Sequence, residues 1–513
     1  MSSFFLLIAV LLPILSGLAI PAAGLRDVKK RNRFIETMVI ITSVIVLALL
    51  FNTPQDHFVF ARFTRHLSLS LRIDGLSRVF AGLISFMWPF ASLYAFEYME
   101  DSASHAMPDL GPGTEGLQSY SKKDNTDSFF MFYTMTYGVA LGIAFAEDIF
   151  TMYFFYELLT LVTVPLVLHT LTREAILAGR TYLYYSLGGA GFAFIGLVFI
   201  ITYSSNINFR YGGVLSILRL EGNENVLLLI YVLAFMGFGV KAAVFPLGAW
   251  LPKASVAPTP VTALLHAVAV VNAGAFAIIR LTYYSFGTEF LKGSWAQKAV
   301  MAISLITILY SSSMALKETH IKRRLAYSTS SNLSYIIFGV TLMTPAGLLG
   351  ALMHFVIHAF MKIGSFLCAG AIMHVTEKNY IHELNGLAKR MPKVFVIFTV
   401  CALSLMGVPG FGGFASKWYL AAAAVEEGGA GPYTGICVLL ISALLTAIYM
   451  MTMIIRGYYP EIKTEEEKGD PEESFWHDPG FRMLLPLTVF AVVTIALGLF
   501  SNVLADFLRG IME

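Results

Sequence analysis

A succession of long apolar stretches constrains this chain more than any other feature of its sequence. A helix of about 20 apolar residues spans the hydrocarbon core of a bilayer. Of the 513 residues, 57% are hydrophobic and 13% are charged, whereas about 25% are charged in soluble domains. We therefore predict an all-α integral membrane protein with about 14 transmembrane helices. The apolar stretches are 2–22, 34–52, 74–99, 128–146, 149–171, 175–204, 225–247, 258–284, 297–316, 325–343, 346–374, 394–425, 432–456 and 483–509.

Basic residues predict how the chain is oriented in the membrane. A basic cluster at 26–33 follows the first stretch instead of preceding it, so this stretch is expected to remain as a helix and not to be cleaved as a signal peptide. The positive-inside rule places this cluster, and the basic loops 317–324 and 378–393, in the cytoplasm. Both termini are then expected outside a cell inner (cytoplasmic) membrane, with the polar segments 101–127 and 457–482 as cytoplasmic loops.

Composition and cysteine placement argue against several classes of function. A net charge of +2 gives no basic face for nucleic acid. Cys368, Cys401 and Cys437 lie far apart in apolar stretches and form no CxxC or Cys/His pattern. The sequence also lacks a Rossmann glycine fingerprint. We therefore predict no metal, no cofactor and no catalytic centre of its own.

Two charges in the middle of apolar stretches are the first candidate site. Glu157 lies within YFFYELLTLVTVPLVL, where an ionised group costs about 2.5–3.5 kcal/mol on insertion scales. Lys241, five residues before Pro246, is its natural counter-ion. A nearby carboxylate raises a lysine pKa while burial lowers it, so moving one partner releases or captures a proton. The alternative is a permanent ion pair that fixes helix packing.

The eleventh stretch carries a stripe of titratable side chains. His354, His358 and Lys362 follow one another at intervals of four residues, which puts them on one helical face. Histidine titrates near neutral pH, so the stripe suits a proton relay. His266 in the eighth stretch is either a further relay group or a hydrogen-bonded core histidine.

Lys417, like Lys241, lies in an apolar stretch near a predicted helix break. It follows Pro409 and four nearby glycines, and the alternative interpretation is a lysine that snorkels to the membrane interface. The two breaks fall in the seventh and twelfth stretches, five spans apart, as in transporters built from inverted repeats. The predicted domains are 1–127 with helices 1–3 and a loop, 128–284 as the first repeat, 297–456 as the second repeat, and 457–513 with a loop and helix 14.

At these residues the chain resembles the antiporter-like membrane subunits shared by respiratory complex I, Mrp-type sodium/proton antiporters and membrane-bound energy-converting hydrogenases. The resemblance runs from about 72 to 420, with its motifs in order. The matching stretches are RIDGLSRVF (72–80), YELLTL (156–161), GVKAAVFPLGAWLPKASVAPTPVTALLHA (239–267), IKRRLAYSTSSNLSY (321–335), HFVIHAFMKIGSFLCAGAI (354–372), ELNGLAKRMP (383–392) and LSLMGVPGFGGFASKW (403–418).

The resemblance implies a fold of fourteen helices with two inverted five-helix repeats. It implies that Glu157 pairs with Lys241, that the central histidines and Lys362 pass protons laterally, and that Lys417 ends the path. The chain departs from the family pattern at Tyr156, where a tryptophan is usual, and at His320, where an acidic residue is common. SNLSY at 331–335 replaces the usual SQxGY. No long lateral helix follows the last stretch, which argues against the most distal complex I subunit.

Three functions remain open on the sequence. In the first, the chain translocates protons, or protons and sodium, inside a multisubunit complex whose partner subunits carry the redox chemistry. In the second, it belongs to an Mrp-type cation/proton antiporter without redox partners. The third and weakest is a quinone-binding oxidoreductase subunit. The expected partners in the first two are other membrane subunits, including further antiporter-like subunits.

Overall fold

The computed structural model describes residues 4–22, 27–52, 57–64, 67–105, 115–216, 222–459 and 477–512, without the side chains of 101–125. The chain is a multi-pass helical membrane protein, as predicted. The helices of the first half are α1 (Phe4–Ala22), α2 (Val28–Phe51), α3 (Gly75–His105), α4 (Glu115–Phe145), α5 (Ile149–Val167), α6 (Arg173–Tyr203), α7 (Glu224–Gly239), α8 (Trp250–Ala254), α9 (Thr259–Ala267) and α10 (Val270–Ile279). Those of the second half are α11 (Thr288–Leu291), α12 (Trp295–Lys317), α13 (Ile321–Thr341), α14 (Pro345–Thr376), α15 (Pro392–Met406), α16 (Gly412–Glu427), α17 (Ala430–Tyr458), α18 (Phe481–Leu499) and α19 (Ser501–Met512).

Eleven spans in the described part of the chain are long and apolar enough to cross a membrane. The three remaining predicted stretches coincide with α7, with α13, and with α15 followed by α16. Of these helices, α7 and α15 are apolar but short. Helix α13 is rich in serine and threonine, which lowers its hydropathy. The count of fourteen crossings stays a prediction.

A small β-hairpin, which the sequence analysis did not predict, precedes α3. Strands β1 (Phe58–Arg62) and β2 (Ser68–Leu71) pair antiparallel, with Phe58 opposite Leu71 and Arg62 opposite Ser68. The backbone of Arg72 donates to the carbonyl of Phe145 at 2.8 Å, which fixes the hairpin to the end of α4. The strands are four and five residues long, too short for an alternating pattern to stand out from a loop.

In the segment 101–127, predicted as a loop, the described residues 101–105 and 115–127 are helical. Helix α3 continues to His105 and α4 begins at Glu115. The sequence of this extension is polar but contains glutamate, glutamine and lysine, which have favourable helix propensities. Polarity alone was therefore a wrong indicator of loop structure here. The second predicted loop, 457–482, lies mostly outside the described residues, although α17 extends to Tyr458.

Helices are interrupted in three places within the bundle. Helix α7 ends at Gly239, and a non-helical segment, 240–249, leads to α8 and contains a cis Phe245–Pro246 bond. Helix α15 ends at Met406, where Gly407 takes a φ of 87°, and α16 begins at Gly412. These two breaks contain Pro246 and Pro409.

The third interruption was not expected. The eighth stretch is divided into α9, α10 and a π-helical turn, Arg280–Phe286. Asn272 donates its side-chain amide to the carbonyl of Ala267 at 3.0 Å, which satisfies a backbone group near the break. A Cβ atom at Gly274 would collide with the backbone nitrogen of Ala242. Helix α10 therefore packs directly on the interrupted segment 240–249.

A buried ion pair holds the π-helical turn in place. The guanidinium of Arg280 is fully buried and contacts both carboxylate oxygens of Asp74, at 2.5 and 2.7 Å. Ser77 accepts a further bond from Arg280 at 3.2 Å. The pair joins the RIDGLSRVF segment to the end of α10.

Helix α14 lies in the centre of the bundle. Its most apolar membrane-spanning window is entirely buried in the protein, and it packs against α9, α13, α15, α16 and α18. A polar side chain on this helix therefore faces other helices instead of lipid.

Candidate functional site

Glu157 of α5 and Lys241 of the interrupted segment form an ion pair. The ammonium nitrogen of Lys241 lies 3.9 Å from Oε1 of Glu157. The lysine side chain is 1% exposed and that of the glutamate is 25% exposed. The ammonium group also donates to the carbonyl of Tyr156 and lies 3.4 Å from the centroid of its ring. Tyr156, the departure from the family pattern, thus supplies a cation–π contact.

Side chains satisfy the backbone that the first break releases. Trp250 Nε1 donates to the carbonyl of Val240 at 2.7 Å, and Ser330 Oγ donates to that of Ala243 at 2.8 Å. Beside the segment lies a cavity of about 40 Å³ whose lining includes Pro246 and Ser311. This volume accommodates about three waters, so the broken backbone borders space suited to hydration.

Lys322 is a site residue that the sequence reasoning missed. It was assigned to a cytoplasmic loop as part of a basic cluster, but it lies in the first turn of α13 and is 6% exposed. Its ammonium nitrogen donates to the carbonyl of Ala257 at 2.9 Å, next to the start of α9. Arg324 is also buried. A signal was available, since the resemblance included the IKRR motif.

His266 lies inside the bundle on α9. It is fully buried, and neither ring nitrogen has a hydrogen-bond partner among the described residues. Its ring centroid lies 5.1 Å from that of Phe366 on α14, one helical turn beyond Lys362. No described residue supplies the bond that a hydrogen-bonded core histidine would make, and the relay role of His266 stays a prediction.

The predicted stripe on α14 faces the protein interior. His354, His358 and Lys362 are all fully buried. Lys362 donates to the carbonyl of Leu325 on α13 at 3.1 Å. The rings of His354 and His358 stack with centroids 6.0 Å apart. His354 Nδ1 shares a 2.8 Å hydrogen bond with Ser416 on α16, so the stripe runs from α13 to the second interrupted helix.

Lys417 lies on α16, one residue after Ser416. Its ammonium group donates to the carbonyls of Leu405 and Met406, at 2.7 and 3.0 Å. These are the last carbonyls of α15, whose negative dipole end favours a cation. The side chain is half-buried and turned toward the break, which differs from a lysine that snorkels away to the interface.

In the described part of the bundle, Glu157 and Lys241 lie at one interrupted helix and Lys417 at another. Further buried ionisable side chains lie on α9, α13 and α14. They are Lys322, His266, Lys362, His358 and His354.

The fold matches solved structures over nearly the whole chain. One match is a chain in the structure of the membrane-bound sulfane sulfur reductase, an archaeal respiratory membrane complex. The alignment covers 99% of this chain and 97% of that chain, with a TM-score of 0.80 and 21% identity. A chain of the Mrp complex from Dietzia sp. DQ12-45-1b matches with a TM-score of 0.79 and 20% identity. That alignment covers 99% of this chain and 96% of that chain.

Residues 146–446 match the family described as NADH:quinone oxidoreductase/Mrp antiporter, transmembrane. This chain belongs to that family of antiporter-like membrane subunits. It is 30% identical over 441 residues to NADH-quinone oxidoreductase subunit N of Desulforudis audaxviator, covering 85% of this chain and 82% of the relative.

The antiporter relatives are longer than this chain. It is 26% identical to a Na(+)/H(+) antiporter subunit of Alkalihalophilus pseudofirmus, and the match covers 86% of this chain but 53% of the relative. The chain thus spans about half the length of that protein. The resemblance inferred from the motifs is confirmed at the level of the family.

Proposed function

We propose that this chain translocates protons, or exchanges protons with sodium, as one subunit of a multisubunit membrane complex. In the preferred form, partner subunits carry redox chemistry that drives the transport. The single observation that carries this proposal is the run of buried ionisable side chains from Glu157 to Lys417. Charges at membrane depth are costly and mark ion pathways.

The ion pair at one end supplies the coupling step. When Glu157 turns away from Lys241, the lysine loses the charge that stabilises its ammonium form and releases a proton. When the carboxylate returns, the lysine takes up a proton again. The exposed quarter of the glutamate side chain gives it room to move.

The released proton travels along the buried groups. Lys322 and His266 lead to Lys362 on α14, and His358 and His354 continue the path to Lys417 beside the second break. Each imidazole can accept a proton at one nitrogen and release one at the other. The small cavity at the first break supports hydration at the first end of the path.

The interrupted helices also support the proposed repeats, 128–284 and 297–456. Helix α7 and the pair α15–α16 each break near a lysine whose ammonium group donates to a backbone carbonyl. We place the basic loops on the cytoplasmic side and both termini outside. The hairpin then lies on the outer side, at the opposite end of α3 from the loop 101–127.

Similarity to the longer Na(+)/H(+) antiporter protein favours a second candidate, an Mrp-type cation/proton antiporter without redox partners. Purification of the native complex and assay of its iron content separate the two. Iron-containing partner subunits support the first candidate. An iron-free complex that exchanges sodium for protons supports the second. No specific observation favours the quinone-binding alternative.

The test of translocation uses the native complex in sealed vesicles with a pH-sensitive dye. Lys241→Ala should assemble yet abolish translocation, and Glu157→Gln should be nearly as damaging because it keeps the shape and removes the charge. Lys253→Ala is the matched control, since Lys253 is an exposed lysine of α8. Full transport by Lys241→Ala would overturn the proposal.

A further inference from the structure

A second set of polar side chains lies between α12, α13 and α17, away from the histidine stripe. On α13 the residues 328, 331 and 335 share one helical face, and on α17 the residues 442, 446 and 449 do so. We call this set the hydroxyl column. Its members are Ser312, Ser328, Ser331, Tyr335, Ser442, Thr446 and Tyr449, all buried.

The upper part of the hydroxyl column, the part nearer Lys417, is a closed hydrogen-bonded cluster. Tyr335 donates its phenol proton to Ser442 at 2.7 Å. Ser442 shares a 2.5 Å bond with Ser312 and a 3.2 Å bond with Ser331. Ser312 and Ser331 are joined at 2.7 Å. Ser442 is therefore the hub of the cluster.

The lower part of the hydroxyl column, the part nearer Arg324, begins one helical turn beyond Ser442 on α17. Tyr449 donates to Ser328 at 2.7 Å and contacts Thr446 at 3.2 Å. Arg324 lies at its end and donates to the carbonyl of Tyr449 at 2.9 Å. From Arg324 to Tyr335, α13 rises about 16 Å, so the hydroxyl column covers roughly half of a bilayer core.

Each end of the hydroxyl column meets a cation. At the upper end, the ammonium nitrogen of Lys417 lies 5.6 Å from the ring centroid of Tyr335. At the lower end, Arg324 also donates to the carbonyls of Glu318 and Leu316, at 2.9 and 3.3 Å, and is 5% exposed. The guanidinium therefore closes the hydroxyl column at the end of the bundle where α12 is joined to α13.

We propose that the hydroxyl column is a proton branch between the Lys417 site and this end of the bundle, gated by Arg324. The branch rests on the proposed translocation function and extends it. A hydroxyl takes a proton on an oxygen lone pair and passes its own O–H proton to the next oxygen. One proton therefore enters and one leaves, without an oxidant or a reductant.

Water completes the branch at two points. Lys417 has no direct hydrogen bond to the Tyr335 oxygen, and the upper and lower clusters are one turn apart, so a water bridges each gap in the conducting state. Arg324 cannot shed its charge, and a fixed cation repels an approaching proton. Without such a gate, the branch would connect Lys417 directly to one face of the membrane, and protons would leak through the subunit.

Packing alone is the competing explanation, because serine pairs also hold membrane helices together. The pair Ser43 and Tyr137, bonded at 2.8 Å between α2 and α4, does this on helices that carry no member of the hydroxyl column. It therefore provides a matched control. A packing role predicts equal effects of Ser43→Ala and Ser442→Ala.

The test measures forward translocation and passive proton leak in sealed vesicles containing the complex. Ser442→Ala should lower translocation severalfold, Ser442→Thr should restore it, and Ser43→Ala should leave it near wild type. Arg324→Gln should raise the passive leak severalfold, Arg324→Lys should not, and adding Ser442→Ala should suppress the leak. If Arg324→Gln fails to assemble, the Ser442 and Ser43 variants decide.

Equal translocation by Ser442→Ala and Ser43→Ala would overturn the branch, as would a leak in Arg324→Gln that Ser442→Ala leaves unchanged. Lys241→Ala is measured in parallel. If it transports like wild type, the proposed function itself fails. If it is inactive while the two serine variants match, the failure belongs to the hydroxyl column alone.

Discussion

Lys322 donates a hydrogen bond from its buried ammonium group to the carbonyl oxygen of Ala257, joining the start of α13 to the start of α9. This contact holds the ammonium group beside the start of α9, the helix that carries His266. It also makes the residue a candidate for proton transfer instead of a surface charge.

We expect Lys322→Ala to slow translocation strongly while the complex still assembles. Lys322→Arg should fail nearly as badly, because its charge cannot be shed at working pH. Translocation in vesicles checks this, with Arg323→Ala as the control at the neighbouring, less buried position. Wild-type rates in Lys322→Arg would show that the charge is structural.

His358→Gln should slow translocation more than it disturbs assembly. The amide fills a similar volume but cannot titrate, so the relay on α14 loses its middle group. The measurement compares rates at matched expression, with His382→Gln as the control because His382 is exposed. Equal rates in both variants would remove His358 from the path.

Lys417→Arg and Lys417→Ala should be similarly inactive. In the proposed role Lys417 receives and releases a proton, whereas an arginine guanidinium keeps its proton at working pH. Lys292→Arg is the control, since Lys292 is exposed and pairs with Glu427 at 2.8 Å. If Lys417→Arg transports normally, this lysine only caps α15 and the path ends elsewhere.

Gly274→Ala should damage the first break without touching a titratable group. Its Cβ would collide with the nitrogen of Ala242 and would lie 2.8 Å from the carbonyl carbon of Lys241. Because these are backbone atoms, the segment must shift, at a cost of about 1–3 kcal/mol. Gly188→Ala on α6 meets nothing within 4 Å and should be neutral. Thermal unfolding and translocation assays of the two variants check the contrast.

Glu383 should make one loop sensitive to acid. Its carboxylate accepts from the backbone of Tyr380 and Asn379, both at 2.8 Å, and the Tyr380 bond is the main reason that its pKa lies below the usual value. A lowered pKa stabilises the fold above the ordinary titration range and loses that contribution as pH falls. Glu383→Gln should be less stable than wild type at neutral pH, and the difference should vanish in acid. Glu426→Gln is the exposed control; unfolding at both pH values decides.

The sequence predicted the paired charges because Glu157 and Lys241 stand out in apolar surroundings. It could not identify Lys322, because a lysine at a helix start looks the same whether its side chain turns outward or inward. The inward orientation of the Lys322 side chain depends on the position of α9. The break that follows α9, at 268–269, contains no proline, so the sequence gives no signal of it. The hairpin was missed because its strands, of four and five residues, are too short to show an alternating pattern.

Neither ring nitrogen of His358 has a hydrogen-bond partner among the described residues, and this bears on the direction of transport. No described partner therefore selects the tautomer of His358. In the proposed relay, His358 then imposes no direction on proton transfer. The direction depends on the two ends of the proposed path, where Glu157 and the carbonyls of α15 each contact a lysine. The centre of the proposed path serves as a reversible conductor.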